Sequence, residues 1–422
     1  MQNDAAKRYF KRNFFLGVSN GILFNLAFAF TSPSTVLPLF MSKLTTSRIL
    51  IGLASTLESM GWFLPQILMA VATLHYPNQM PFYRKTALLR GGSFALFTLC
   101  IFLFGGKDPL FLLLSFFVFF TIYAMSGGLA GVAFTHIVGK TIPQHRRGSF
   151  LGMRIFFGGS LAVLGGIVVR KLLNQYQFPN NFGVIFLFAC VLIMIALLSF
   201  SLVKEPKTYA RLEKGSLKDN FLKGIRIFKE DRRFKQLIIT RVLIGTYMMG
   251  LPFYVIFARE VLEAPQGMVG IFLSFEMAGY VLSNLLWGNL SNRVSNSLVL
   301  FLTALTSALA PTLLLSTRIL HLPLGSFFLI FFFMGATNSG AIIGGTNYLL
   351  EISPEKERPI YIGFMNSLVG PTVFLSAVGG LIIQLTSFTL LYLILLITAI
   401  LAVLQAFRLM QVHARVTRQA QM

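Results

Sequence analysis

The chain has 422 residues, 55% hydrophobic, 14% aromatic and only 12% charged, with a formal charge of +22. A soluble chain is about a quarter charged, so this one has too few polar residues to cover a globule, and its solvent must be largely lipid. The basic excess does not require nucleic acid, because Lys and Arg gather in the cytoplasmic loops of membrane proteins.

Many apolar stretches approach the ~20 residues that a helix needs to cross a bilayer core. Runs such as PLFLLLSFFVFF (109–120) lack the two-residue alternation of barrel strands. Twelve helical spans are predicted, at 14–40, 49–74, 86–104, 109–138, 149–170, 182–203, 237–258, 266–290, 297–315, 324–350, 360–384 and 388–407. The class is an all-α polytopic membrane protein. The basic start MQNDAAKRYFKRNFF leads into a long apolar stretch followed by further spans, which reads as a retained first helix rather than a cleaved signal.

An even number of spans places both termini on one side. The termini, the even-numbered loops and their flanking helix ends carry 29 of the 36 Lys and Arg, against 7 in the odd-numbered loops. The termini are therefore expected in the cytoplasm, with the protein in the inner (plasma) membrane. The longest basic connection, Lys204 to Gln236, holds eleven Lys/Arg and five acids. It divides the chain into a first set of spans (1–203), a linker (204–236) and a second set (237–422). Within the linker, Ser216 is placed to cap a helix whose Leu217, Phe221, Ile225 and Phe228 share one face. Such a helix is expected to lie along the membrane surface as a tether between the halves.

Ionisable groups within spans point to function by default. Glu58 is the only charged residue between Ile49 and Leu74. Glu58, Trp62 and Gln66 fall at i, i+4 and i+8 and share a helix face. At an offset of 218 the stretch 51–70 lies without a gap on 269–288, matching Gly52, Glu58, Gly61, Leu64 and Leu68 with Gly270, Glu276, Gly279, Leu282 and Leu286. Glu276, Tyr280 and Asn284 then repeat the order carboxylate, aromatic, amide. Pro38 in TVLPLF likewise meets Pro252 in MGLPFY. PQHRRGSFLG (143–152) meets PEKERPIYIG (354–363), pairing Arg147 with Arg358. Three matches in the same order indicate a duplicated half, as in many transporters.

Other polar groups offer weaker readings. Arg154, about two turns into span five, either meets an anionic group or snorkels to the surface. His136 lies near the cytoplasmic end of span four. Asn25, Asn338, Asn347 and Asn366 serve equally as substrate contacts or as hydrogen bonds between helices. Gly127/Gly131 and Gly340/Gly344 suggest close helix packing, and Pro65, Pro252, Pro311 and Pro371 suggest kinks. VGKT (138–141) resembles the end of a phosphate-binding loop, but Phe134 stands where that loop needs Gly. Cys100 and Cys190 fall within spans, without disulfide or metal spacing. No enzyme constellation, metal site or cofactor is expected.

Two six-span halves joined by a long basic loop resemble the major facilitator superfamily over essentially the whole chain. GNLSNR (288–293) is similar to that family's GxLxDR loop motif, with Asn292 in place of Asp; Gly288 and Arg293 keep its pattern. VGPTVFLSAVGG (369–380) has the Gly-Pro and paired glycines of the family's antiporter motif, in span eleven rather than five. The resemblance implies two pseudo-symmetric six-helix bundles that alternate access to a central site. Glu58 and Glu276 would then be proton or cation sites. Trp62, Gln66, Tyr280, Asn284, Arg154, Asn25, Asn338 and Asn347 would be candidates for substrate contact, and Arg147, Arg358, Gly288 and Arg293 would act at the cytoplasmic loops. The expected activity is secondary transport by a monomer in membrane lipid, leaning to proton-coupled export of an apolar or amphipathic small molecule. Proton-coupled uptake of a small organic solute is the alternative, and a non-transporting receptor or assembly protein on the same scaffold is the rival from another class.

Overall fold

The computed structural model describes the backbone of residues 2–72, 78–206, 217–320 and 322–421, and the side chains of 9–62, 78–206, 221–317, 319–320 and 322–414. All regular structure among these residues is helical. Eleven described segments are long and apolar enough to cross a bilayer. The 25-residue helix Arg48–Ala72 stands in the place of the second predicted span, so the twelve expected spans are accounted for.

Two compact units emerge: 1–212 with 265–274, and 213–264 with 275–422. The first contains α1 (Gln2–Phe30), α2 (Val36–Met41), α3 (Arg48–Ala72), α4 (Met80–Phe104), α5 (Pro109–Thr141), α6 (Gln144–Gln175) and α7 (Asn180–Ser201). Here α1 packs on α6 and α7, while α5 packs on α3 and α4. The α1–α7 seam is polar. Asn13 Nδ2 donates to the Lys204 carbonyl at 3.0 Å, Asn20 Nδ2 to that of Ala196 at 2.8 Å, and Ser199 Oγ to that of Leu16 at 2.9 Å. In lipid, where hydrophobic burial does not distinguish a helix partner from an acyl chain, such bonds fix which faces meet.

The other end of this unit is filled by rings. Phe40, Phe94, Phe97, Phe116, Phe120, Phe182 and Phe186 are fully buried. Phe40 lies 5.2 Å from Phe182 and 5.2 Å from Phe186, centroid to centroid. Part of the chain's high phenylalanine content is therefore core rather than lipid-facing surface.

The second unit contains α8 (Leu217–Glu230), α9 (Arg232–Gly245), a 3-10 turn (Thr246–Met249) and α10 (Phe253–Glu260). It continues with α11 (Met268–Arg293), whose first turns, up to Ser274, belong to the first unit, and with α12 (Asn296–Leu320), α13 (Ser326–Ile352) and α14 (Arg358–Val369). A 3-10 turn (Gly370–Phe374), α15 (Leu375–Leu385) and α16 (Phe388–Gln421) complete it. Three predicted spans are interrupted helices. The first breaks at TSPST (31–35), where Pro33 has no N–H for the ladder and the flanking hydroxyls bond one another: Thr35 Oγ1 donates to Ser32 Oγ at 2.8 Å. The seventh breaks ahead of Pro252 and the eleventh at Gly370–Pro371, because proline has no N–H to continue the ladder. Pro311, also expected to disturb its span, lies within an unbroken α12. The backbone of α3 is likewise unbroken at Pro65.

The predicted linker helix forms as α8, starting at Leu217, while Ser216 lies outside the described residues. It docks on protein: Gly224 abuts the Phe364 ring, and Phe221 and Phe228 lie 5.5 and 6.0 Å from it. Asp231 then caps α9, accepting from the Arg233 and Phe234 N–H groups at 2.9 and 3.2 Å, and its other oxygen accepts from Tyr361 Oη at 3.0 Å.

Candidate functional site

The repeat acquires a physical cause in the helix pairs that carry the glutamates. A methyl group on Gly61 would overlap the backbone of Ala124 on α5, and one on Gly279 would overlap the backbone of Phe332 on α13. Glu58 lies one turn from Gly61, and Glu276 is itself at a close approach, since a methyl on Gly335 of α13 would overlap its carbonyl; in both units the backbone that carries the carboxylate is held against a neighbouring helix.

Within the first unit, α1, α3, α4, α5, α6 and α7 line an open cavity of about 270 Å³. Its wall includes Glu58, Trp62, Asn25 and Arg154 from the sequence expectations, joined by Arg90, Tyr123, Tyr83, Asn20 and several phenylalanines. Glu58 has a side chain one-fifth exposed, with Oε1 3.8 Å from Arg90 Nη2. Its Oε2 is buried with no hydrogen-bond partner among the described residues. Arg90 Nη2 donates to Tyr123 Oη at 3.1 Å, and the guanidinium lies 4.6 Å from the Tyr123 ring centroid and 4.8 Å from that of Phe24. Its Nε is buried and also unpartnered among the described residues.

At 3.8 Å and an effective dielectric constant of 20, two unit charges attract by about 4 kcal/mol, while desolvation costs several kcal/mol per ion. The pair is thus a poor source of stability, which is the usual sign of a group kept for another purpose.

Arg154 does not snorkel. Its guanidinium turns onto α1, donating to the Gly17 carbonyl and, at 3.2 Å, to Asn20 Oδ1, and faces the rings of Phe134 and Phe150 at 4.6 and 5.3 Å. Gly21 leaves the space that its methylenes fill. Asn25 Nδ2 donates to the carbonyls of Gly21 and Arg154, so it binds α1 to α6 while lining the cavity.

Gly127 and Gly131, expected to bring two helices together, instead make room for side chains. A methyl on Gly127 would fall 2.8 Å from Arg90 Cζ, and one on Gly131 would fall 2.6 Å from the Trp62 ring. Gly340 and Gly344 do face another helix, against Thr303 and against Val299 and Leu300 of α12. Gln66 lies on α3, with its side chain outside the described set.

In the second unit Glu276 is buried and Tyr280 and Asn284 are half-buried on α11. Tyr247, in the 3-10 turn of the interrupted span, lies within electrostatic reach of Glu276, Tyr280 and Arg241. Arg241 Nε and Nη1 are buried without partners among the described residues, and Gly345 leaves the space that the guanidinium occupies. Asn338 is half-buried on α13. Asn347 is tied into a chain of bonds, donating to Ser291 Oγ at 2.9 Å, while Asn296 Nδ2 donates to Glu351 Oε2 at 2.7 Å. Asn366 is exposed on α14.

The loop residues divide. Arg147 donates to the carbonyls of Ile142 and Gly139 at 3.1 and 2.7 Å, capping α5, and Arg358 Nε reaches Ser353 Oγ at 3.4 Å. Arg293 is exposed at the end of α11, and the position of Gly288 leaves open space around it. His136 is half-buried near the α5 end that carries Lys140.

The sequence expectations include Tyr280 but not Arg90, Arg241, Asn20, Tyr83, Tyr123 or Tyr247. Arg90 and Arg241 fall near the predicted span ends and pass as loop-flanking charges. The available signal was a single basic residue with apolar neighbours on both sides, as in ALLRGG (87–92).

The sequence profile described as Major Facilitator Superfamily matches residues 20–275 and 252–420. No curated protein matches the chain. Among solved structures, the chain is similar to a partially occluded inward-open conformation of the xylose transporter XylE from E. coli. That match has a TM-score of 0.67, 14% identity, and covers 95% of this chain and 99% of the other. It is also similar to a bacterial homologue of the iron transporter ferroportin in an inward-facing state (0.68, 13%, 94% and 98%). A third is the nucleoside transporter NupG (0.64, 15%, 94% and 98%).

Proposed function

Because the chain belongs to the major facilitator superfamily, we propose that it is a proton-coupled secondary transporter that carries an amphipathic small molecule by alternating access. The observation that carries this reading is the Glu58–Arg90 pair on the wall of a cavity inside a membrane bundle. A carboxylate that can take up a proton, beside a cation that cannot lose one, gives a two-state electrostatic element. Arg90, Trp62, Tyr123 and the phenylalanines offer a polar head site and an apolar wall, which suits an amphipathic solute better than a wholly apolar one. Glu276, near Tyr247 in the second unit, is the matching coupling candidate. The charge bias of the loops supports cytoplasmic termini in an inner or plasma membrane. Export by antiport is the direction to which composition leans, with uptake as the alternative.

The test is flux. Purified protein in liposomes under an imposed pH gradient is expected to move a substrate found by ligand stabilisation, with proton movement in fixed ratio. Glu58→Gln is expected to remove the dependence on the gradient. If a broad compound panel produces no flux at all, the receptor or assembly reading replaces this one.

A further inference from the structure

We propose that Arg90 is an oxyanion subsite, and that a small organic anion with a compact apolar body binds there in exchange for the carboxylate of Glu58. The inference deepens the transport reading above and rests on it for its location. Neither member of the pair is saturated. Their separation of 3.8 Å is far outside the 2.7–2.9 Å of a charge-assisted hydrogen bond. Arg90 Nε and Glu58 Oε2 are both buried without partners among the described residues. The guanidinium is nevertheless held in place, between Phe24 and Tyr123, over Gly127, with one N–H fixed on the Tyr123 hydroxyl. A planar fork positioned this way, with a donor left over, matches the two oxygens of a carboxylate or phosphate.

The remaining charges around the cavity decide how the anion and the proton are linked. From α4 come Arg90 and Tyr83, from α5 Tyr123, and from α6 Arg154, whose Nη1 is held by α1. The lining residues of α1 and α7, Asn20, Phe24, Asn25, Phe28 and Leu197, carry no charge. Among the described residues, Glu58 is thus the only acid on the wall, against two arginines. An incoming anion at Arg90 meets the Glu58 charge at the same fork, and a proton on Glu58 removes that repulsion. Anion and proton therefore bind together, and substrate and proton move in the same direction. That linkage is the one for uptake, the alternative named above, and it replaces the lean to export drawn from composition alone. Trp62 and Phe134 supply the wall for the apolar body.

The experiment uses the full-length protein in detergent. The probes are arylalkyl and alkyl carboxylates and phosphates of graded length, each paired with its neutral amide or alcohol and its amine. The expected result is that anions raise the apparent melting temperature while their neutral and cationic partners do not. Their affinity should strengthen from about pH 7.5 to about pH 5.5, by up to about tenfold per unit, with protons taken up on binding. Carboxylate and phosphate arms distinguish the two oxyanion classes. Arg90→Gln is expected to abolish the effect and Arg90→Lys to weaken it, while Glu58→Gln should bind anions without pH dependence or proton uptake. Size-exclusion profiles and helical circular dichroism report folding for every variant. Stabilisation by amines or amides equal to that by anions, anion binding that survives in folded Arg90→Gln, or no effect from any anion overturns the proposal. Liposome flux separates the two readings: anion binding at Arg90 without flux sinks the transport reading alone, and flux of a cation or neutral solute sinks this one alone.

Discussion

The guanidinium of Arg90 occupies the space that a side chain on Gly127 would take, with Cζ 2.8 Å from the position of the missing methyl. Gly127→Ala is therefore expected to displace the far end of a flexible side chain, at a stability cost of about 1 kcal/mol or less. Ligand stabilisation should nevertheless fall, and Gly131→Ala should act likewise through Trp62. Gly61→Ala and Gly279→Ala confront backbone rather than side chain. Each is expected to cost about 1–3 kcal/mol and to lower the melting temperature measurably. Melting curves with and without ligand for the four variants separate the two classes.

Glu58→Gln removes the group that exchanges protons but keeps the shape of the wall. Exchange of labelled substrate across liposomes without a pH gradient is expected to continue, whereas accumulation driven by a gradient should be lost. A variant that still accumulates substrate would place coupling elsewhere, with Glu276 the next residue to replace.

Glu205 joins three pieces of the first unit. One oxygen accepts from the N–H groups of Gln79 and Met80, both at 2.8 Å, at the start of α4; the other meets Lys140 Nζ at 2.8 Å, at the end of α5. Its side chain is only 1% exposed. Glu205→Ala removes a buried acceptor shared by α4 and α5, although Met80 N–H keeps Asn78 Oδ1 at 3.1 Å, and is expected to destabilise the unit by roughly 1–3 kcal/mol, while Lys140→Met costs less because the backbone bonds to Glu205 stay in place. Thermal unfolding of both variants checks the order.

Asp231 starts α9 and also holds Tyr361 of α14. Asp231→Ala is expected to cost about 1–2 kcal/mol through the lost cap. Tyr361→Phe removes a single hydrogen bond, worth about 1 kcal/mol. The double variant should fall short of the sum, since both remove the same bond, and a double-mutant cycle on melting data measures the shortfall.

The span count, the duplicated halves and the glutamate in each were legible in the sequence because a bilayer imposes a length and an apolar composition on every crossing helix. The breaks at TSPST, Pro252 and Gly370–Pro371 each contain a proline that cannot continue the ladder, whereas Pro65 and Pro311 lie within unbroken helices, so packing and not the proline alone decides which spans are interrupted. Arg90 was hidden because hydropathy assigns a basic residue near a span end to the loop. Whether such a residue turns outward to water or inward over Tyr123 depends on Gly127 of another helix.

The sequence by itself therefore determined the solvent, the number of crossings and the internal repeat, all of which depend on local composition. Only the tertiary structure decided that Glu58 faces Arg90, that Arg154 turns onto α1, and that Gly127 and Gly131 make room for side chains rather than bring helices together. These are meetings between residues distant in the chain, fixed by which helix faces pack against each other, and no local pattern encodes them.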